Sequence, residues 1–239
     1  MSKLDRRSWI NSLFGWLLKS FFWLLYNPFA WTYDWVAWIV SLGSWNEWVR
    51  TVIPFLLDGP VLEIGHGPGH LQLALLRSEK KAFGLDLSSS MGKIARNRLR
   101  KAHVSTPLVR GTAFEIPLPG EYFGSVVATF PTEYIASYQT LHEIMRVLKP
   151  NGRLIILPFA WITGNSWLEK LAAWIFRVTG QAPSLSPDGE APSSIHGEWI
   201  RRLVYTAQQL GYGITFNHVT LQTSRVLIIL AEKVNLHAN

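Results

Sequence analysis

The run Val61-Leu-Glu-Ile-Gly-His-Gly-Pro-Gly69 constrains this chain more than any other stretch. A short apolar run leading into alternating glycines reads as a buried strand entering a tight turn. Residues 70–77 then read as a helix. Strand, glycine turn and helix make the opening half of a nucleotide-type α/β unit. Glycines at 65, 67 and 69 let a ligand approach the backbone with no Cβ in the way. Residues 82–85 read as a second strand, and Asp86 stands at its end, 21 positions after Gly65. A carboxylate there can accept hydrogen bonds from ribose hydroxyls.

The alternation continues along the chain. Ser88, Ser89 and Ser90 can cap the next helix. Residues 107–110 and 125–130 read as the third and fourth strands, 138–148 as a helix, and Lys149-Pro-Asn-Gly152 as a turn. A fifth strand follows at 153–157. A helix at 198–210 stops at Gly211, and strands at 212–219 and 225–232 close the pattern. Strands alternating with helices, then two adjacent strands, predict an open α/β sheet.

Composition narrows the chemistry. The chain has 239 residues, a net charge of +7 and no cysteine. That length suits one domain of ordinary size with a small appendage. Disulfides, a thiol nucleophile and a Cys-ligated metal are excluded, and no metal site is expected. Of 12 tryptophans, Trp9, Trp16, Trp23, Trp31, Trp35, Trp38, Trp45 and Trp48 fall in the first 48 residues. Two trios repeat every seven residues on either side of Pro28, so each lines one helical face. Charges and Pro28 interrupt the apolar run, which argues against a spanning helix and a signal peptide. The arm reads either as a packing stripe or as an interfacial helix pair, with apolar residues spread almost all round.

Three motifs together point to a family. Val61-Leu-Glu-Ile-Gly-His-Gly-Pro-Gly69, Gly84-Leu-Asp-Leu-Ser88 and Leu148-Lys-Pro-Asn-Gly-Arg-Leu154 resemble a class I S-adenosylmethionine-dependent methyltransferase over residues 58–157, and more loosely to residue 232. The resemblance implies a seven-stranded Rossmann-like sheet with one antiparallel strand near the edge. Its cofactor would be S-adenosyl-L-methionine, with S-adenosyl-L-homocysteine as product. A nicotinamide dehydrogenase fits less well, because its fingerprint spaces the glycines as Gly-x-Gly-x-x-Gly.

By the same resemblance, Glu63, Gly65 and Gly67 would meet the methionine end, with His66 inside the same loop. Asp86 would hold the ribose and Leu87 would pack on adenine. Thr112 and Ala113 lie where many relatives carry Gly-Asp-Ala, and Thr112 replaces the Asp. Thr129-Phe-Pro-Thr-Glu-Tyr134 follows the fourth strand, near the transferred methyl. It lacks the Asn/Asp-Pro-Pro-aromatic run of nucleic-acid amino methyltransferases, which disfavours base methylation. Glu133 and Tyr134 are candidates to orient a substrate. His66 is a candidate general base, since a neutral imidazole is available near pH 7. His196, at the end of the insertion, is a further candidate.

Tyr33-Asp34, Ser41-Leu42-Gly43, Trp45 and Trp48 resemble the opening segment of the ubiquinone and menaquinone C-methyltransferases, without their Asn-Asp pair. In that resemblance Tyr33 would cover the cofactor. Ser166-Trp-Leu-Glu169 reads as a capping box for a helix to residue 178, followed by a Pro/Ser-rich loop at 181–194. An insertion after the fifth strand would stand over the strand carboxyl ends, where ligands bind. The expected organisation is therefore an arm at 1–57, a cofactor core at 58–157, a cap at 158–197 and closing elements at 198–239. The expected activity is methyl transfer to a hydrophobic small molecule such as a quinone or lipid. The expected location is cytoplasmic, peripheral to the inner face of a membrane. An RNA or protein methyltransferase using the basic helices, and a cofactor-binding regulator without turnover, are the alternatives. Aromatic residues concentrated in the arm, away from the basic positions, weigh against nucleic acid.

Overall fold

The computed structural model describes residues 41, 43–163 and 195–233. Seven strands form one sheet in the order β3-β2-β1-β4-β5-β7-β6. They are β1 Val61–Ile64, β2 Ala82–Asp86, β3 Leu108–Arg110, β4 Phe123–Thr129, β5 Leu148–Ile162, β6 Tyr212–Thr220 and β7 Ser224–Lys233. Strands β1 to β5 run parallel, and β7 is antiparallel to both β5 and β6. This is the expected sheet with its reversed strand next to one edge. The helices are α1 Trp45–Arg50, α2 His70–Arg77, α3 Ser89–Lys101, α4 Tyr138–Val147 and α5 Ile195–Gln209.

Alternation along the strands sorts the core into two layers. Leu62, Val126, Leu154 and Ile156 face Leu141 and Ile144 of α4 and Leu203 of α5. Val61, Val127, Ile155 and Leu157 face Leu71 and Leu75 of α2 and Trp48 of α1. Both faces of the central strands are covered, so these strands read as continuous apolar runs. Ser88 caps α3 by accepting from the Met91 amide at 3.3 Å, as its sequence position predicts.

Two expectations change. Residues 149–152 do not stand apart as a turn. They belong to the first part of β5, with Asn151 at φ 61° and a register slip opposite Phe123–Ser125. Residues 158–162, expected in the insertion, extend β5 instead and pair with β7. The expected helix at 166–178 and loop at 181–194 lie outside the described residues, as do the six tryptophans before Trp45.

Trp48 anchors the end of the arm. Its ring is fully buried, and its Nε1–H donates to Ser224 Oγ at 2.8 Å. A buried indole needs such a partner. Ser224 opens β7 beside Ile162 at the end of β5, so α1 packs at the carboxyl edge of the parallel strands.

Candidate active site

The glycine loop leaves β1 at this same edge. Gly65 has φ +73° and Gly69 φ +83°, both in the left-handed region that favours glycine. Gly69 also needs its missing side chain, since a Cβ would lie 2.9 Å from Ala95 Cβ on α3. The Gly65 amide donates to Leu85 O at 2.7 Å, and the Arg98 guanidinium donates to Pro68 O. The loop is thereby tied to both β2 and α3. At Gly67 nothing lies within 4 Å of the Cβ position, so the loop backbone is open to a ligand there.

Two carboxyl groups flank the loop. Asp86 Oδ2 accepts from the Gly67 amide at 2.8 Å, and Oδ1 accepts from the Ser88 amide at 2.7 Å. It holds the loop and the α3 N-cap while keeping lone pairs for further donors. Glu63 is 2% exposed, and its Oε2 accepts from Gln72 Nε2 at 2.8 Å. Burial pushes the Glu63 carboxyl up to about 8; nearby Asp86 adds to this and the Gln72 hydrogen bond opposes it. Gln72 Nε2 also donates to Phe83 O at 3.1 Å, while its buried Oε1 has no partner. A cation placed beside this pair would favour the charged form of Glu63.

His66 turns inward. It is 4% exposed, its Nδ1 lies 2.7 Å from Gly67 O, and its ring covers Gly84, where a Cβ would sit 2.9 Å from His66 Cδ2. Burial lowers its basicity, opposed by the Asp86 charge and the Gly67 carbonyl. These surroundings fit a ring that holds the loop, and the lowered basicity keeps the imidazole neutral.

Leu87 projects from the end of β2 at 68% exposure, an apolar platform where adenine is expected. Arg110 Nε donates to Leu87 O at 3.1 Å and steadies it. Thr112 Oγ1 accepts from the Phe114 amide at 3.2 Å, and Ala113 is buried beside it. Sequence reasoning missed what holds this loop. Glu143 Oε2 accepts from the Ile116 amide at 2.8 Å, and Arg146 donates to Ile116 O at 2.7 Å and Leu118 O at 3.1 Å. The two side chains also pair with each other at 2.8 Å, and this Arg146 contact draws the Glu143 carboxyl below its usual range. Their i, i+3 spacing on α4 was the available signal.

On the acceptor side, Thr129 ends β4 opposite Leu157. Phe130 follows with φ 49°, a conformation that costs a bulky residue about 1–3 kcal/mol. Tyr134 lies in the 3₁₀ turn Glu133–Ala136, with its Oη 3.1 Å from the Gly65 Cβ position. Gly65 and Tyr134 therefore meet, while Glu133 is exposed. His196 lies in the first turn of α5, and its side chain is outside the described residues, as is Tyr33. Among the described residues no three acidic or histidine side chains gather as a metal site needs.

Known proteins share this architecture. Residues 62–156 match the family described as a methyltransferase domain. The demethylmenaquinone methyltransferase of Symbiobacterium thermophilum is 32% identical over 128 residues, covering 50% of this chain and 51% of that protein. The chain thus spans about half the length of that relative. A ubiquinone/menaquinone biosynthesis C-methyltransferase of Bartonella quintana is 26% identical over 76% of this chain and 71% of its own. A putative S-adenosyl-L-methionine-dependent methyltransferase of Methanococcus maripaludis superposes with a TM-score of 0.64 at 20% identity, over 90% of this chain and 96% of that one. Geranyl diphosphate C-methyltransferase of Streptomyces coelicolor, solved with S-adenosyl-L-homocysteine, gives 0.54 at 14% identity, over 78% and 75%.

Proposed function

We propose that this chain, whose residues 62–156 form a class I S-adenosylmethionine-dependent methyltransferase domain, methylates a hydrophobic small molecule, a quinone or lipid, at a membrane surface. The observation that carries the reading is the joint placement of Asp86, Gly67 and Tyr134 around one open loop at the strand carboxyl ends. Ligands of open α/β sheets bind at that edge.

The residues fit the cofactor. When bound, S-adenosylmethionine supplies a methyl group made electrophilic by its sulfonium. Asp86 has lone pairs for the ribose hydroxyls, and exposed Leu87 offers a face for the adenine. Gly67, with nothing within 4 Å of its Cβ position, leaves the loop clear there for the methionine portion, and the Tyr134 hydroxyl borders it at Gly65. Glu63 and Gln72, buried below the loop with one acceptor unpaired, suit the ligand's ammonium group. Tyr134 stands where its hydroxyl can orient the acceptor. Alignment of this kind supplies much of the rate in a transfer between two bound molecules.

Support for the substrate class comes from the quinone-directed relatives and from the aromatic arm and apolar insertion of the sequence. Among the described residues no helix is long and apolar enough to cross a membrane.

The test is incubation of purified protein with methyl-labelled S-adenosylmethionine and fractionated host extract. Label in the organic-solvent fraction is expected. Label in RNA or protein would overturn the substrate class. Tight cofactor binding with no label in any fraction would favour a regulator without turnover.

A further inference from the structure

Five non-glycine residues among those described have positive φ: Glu79, His103, Glu121, Phe130 and Asn151. Phe130 is the one apolar residue of the five, and it precedes Pro131, which narrows its backbone choices further. Strain of this sort persists where surrounding contacts over-determine it, and it gathers at functional sites. Here the contacts are explicit. The Phe130 amide donates to Leu157 O at 2.7 Å. Its ring stacks on Trp45, with centroids 4.5 Å apart and planes at 28°, and tilts against Trp48 at 6.1 Å. Trp48 is fixed in turn by Ser224 on β7, and the Trp45 amide donates to Ser41 Oγ at 3.1 Å. Four residues beyond Phe130, the Tyr134 hydroxyl reaches Gly65.

We infer that Trp45 is a positioning residue for methyl transfer, its stack on Phe130 holding the 129–134 turn so that Tyr134 stays over Gly65. The first residue of α1 thereby braces the turn that carries Tyr134. This inference rests on the methyltransferase reading and adds a residue to it. Trp45 stacks on the residue that opens the 130–136 turn, so its effect should fall first on that turn.

Amide hydrogen exchange on the full chain tests this, with S-adenosylhomocysteine titrated by calorimetry. In Trp45→Ala, residues 130–136 should exchange at least fivefold faster, while β1 and β4 keep their protection and S-adenosylhomocysteine affinity stays within about twofold of wild type. Trp45→Phe, which retains a stacking ring, should restore slow exchange. Trp45→Leu guards against a folding defect, since it keeps apolar volume without the ring and should resemble Trp45→Ala. Unchanged exchange at 130–136 in Trp45→Ala would overturn the inference. So would faster exchange throughout the sheet with affinity lost in parallel, because that pattern marks general loss of packing. Failure of the wild-type protein to bind S-adenosylhomocysteine would instead overturn the functional reading, and the role with it.

Discussion

The Tyr134 hydroxyl lies 3.1 Å from where the first side-chain carbon of a residue at Gly65 would begin. Two parts of the site far apart in sequence thus share one small volume, and position 65 is constrained twice. Its φ of +73° penalises any side chain, and Tyr134 occupies the space a side chain would need.

Gly65→Ala should therefore weaken S-adenosylhomocysteine binding at least tenfold and destabilise the protein by about 1–2 kcal/mol from the left-handed backbone alone. Adding Tyr134→Phe removes the atom in contact. The double variant should recover part of the affinity but not the backbone cost. Calorimetric titration and thermal unfolding of both variants check this, and no recovery in the double variant would show that the Tyr134 contact does not matter.

Asp86 serves two amides at once, Gly67 and Ser88. Hydrogen bonds to a charged acceptor contribute about 1.5–3 kcal/mol each. Asp86→Ala should lower S-adenosylhomocysteine affinity roughly 10- to 100-fold. Asp86→Asn, which keeps one acceptor oxygen, should fall between that variant and wild type. Full affinity in Asp86→Ala would mean that the ribose is held elsewhere.

These two sites were legible because local chemistry fixed them. Glycines at 65, 67 and 69 and an acid at a strand end carry their meaning within about twenty residues. What was not legible depends on distant partners. The fifth strand was expected to end at 157, yet β5 runs on through Pro158, which falls at the slip in pairing between Ile156 and Phe159, where a missing amide costs no ladder bond. Nothing local in Phe130 predicts a left-handed backbone, and its partners Trp45 and Leu157 lie far from it in sequence. The burial of His66 against Gly84 likewise appears only in three dimensions.

Glu63 gives the protein a pH signature. Its carboxyl is raised from 4.5 to about 8 by burial, so the folded state binds a proton that the unfolded state releases over that interval. The resulting stability is fully present below pH 4.5 and is lost as pH rises to about 8. Ligand-free Glu63→Gln should flatten the fall between these limits and melt higher than wild type at pH 8.5, about half a unit above that raised value. Binding of S-adenosylmethionine, whose ammonium favours the ionised carboxyl, should release a proton from wild type at pH 7 but not from the variant. Calorimetry in buffers of different ionisation enthalpy reads this directly. Equal heats across buffers for wild type would refute the pairing.

Arg146 offers a test of the loop that carries Thr112 and Ala113. Its side chain is 37% exposed and that of Glu143 15%, so the ion pair itself contributes little, about 0.2–1 kcal/mol. The larger part lies in the fork of bonds to Ile116 O and Leu118 O, which a lysine ammonium cannot reproduce in the same geometry. Arg146→Lys preserves the charge, so loss of the fork can be separated from loss of the pair. About 1–2 kcal/mol should disappear, one net bond or two. At this chain length that lowers the melting temperature by roughly 2–8 °C. Affinity for S-adenosylhomocysteine should drop severalfold as the adenine side loosens, and both losses should persist at high salt, which screens charges but leaves these bonds in place. Acid adds a second reading. Arg146 draws the Glu143 carboxyl below its ordinary value, so stability from this contact is present above pH 4.5 and is lost as pH falls through the depressed folded value. Thermal unfolding of Glu143→Gln should show less acid sensitivity in that window than wild type. If Arg146→Lys instead kept wild-type affinity and stability, the loop would be held by its own apolar packing and the α4 clamp would have no part in forming the site.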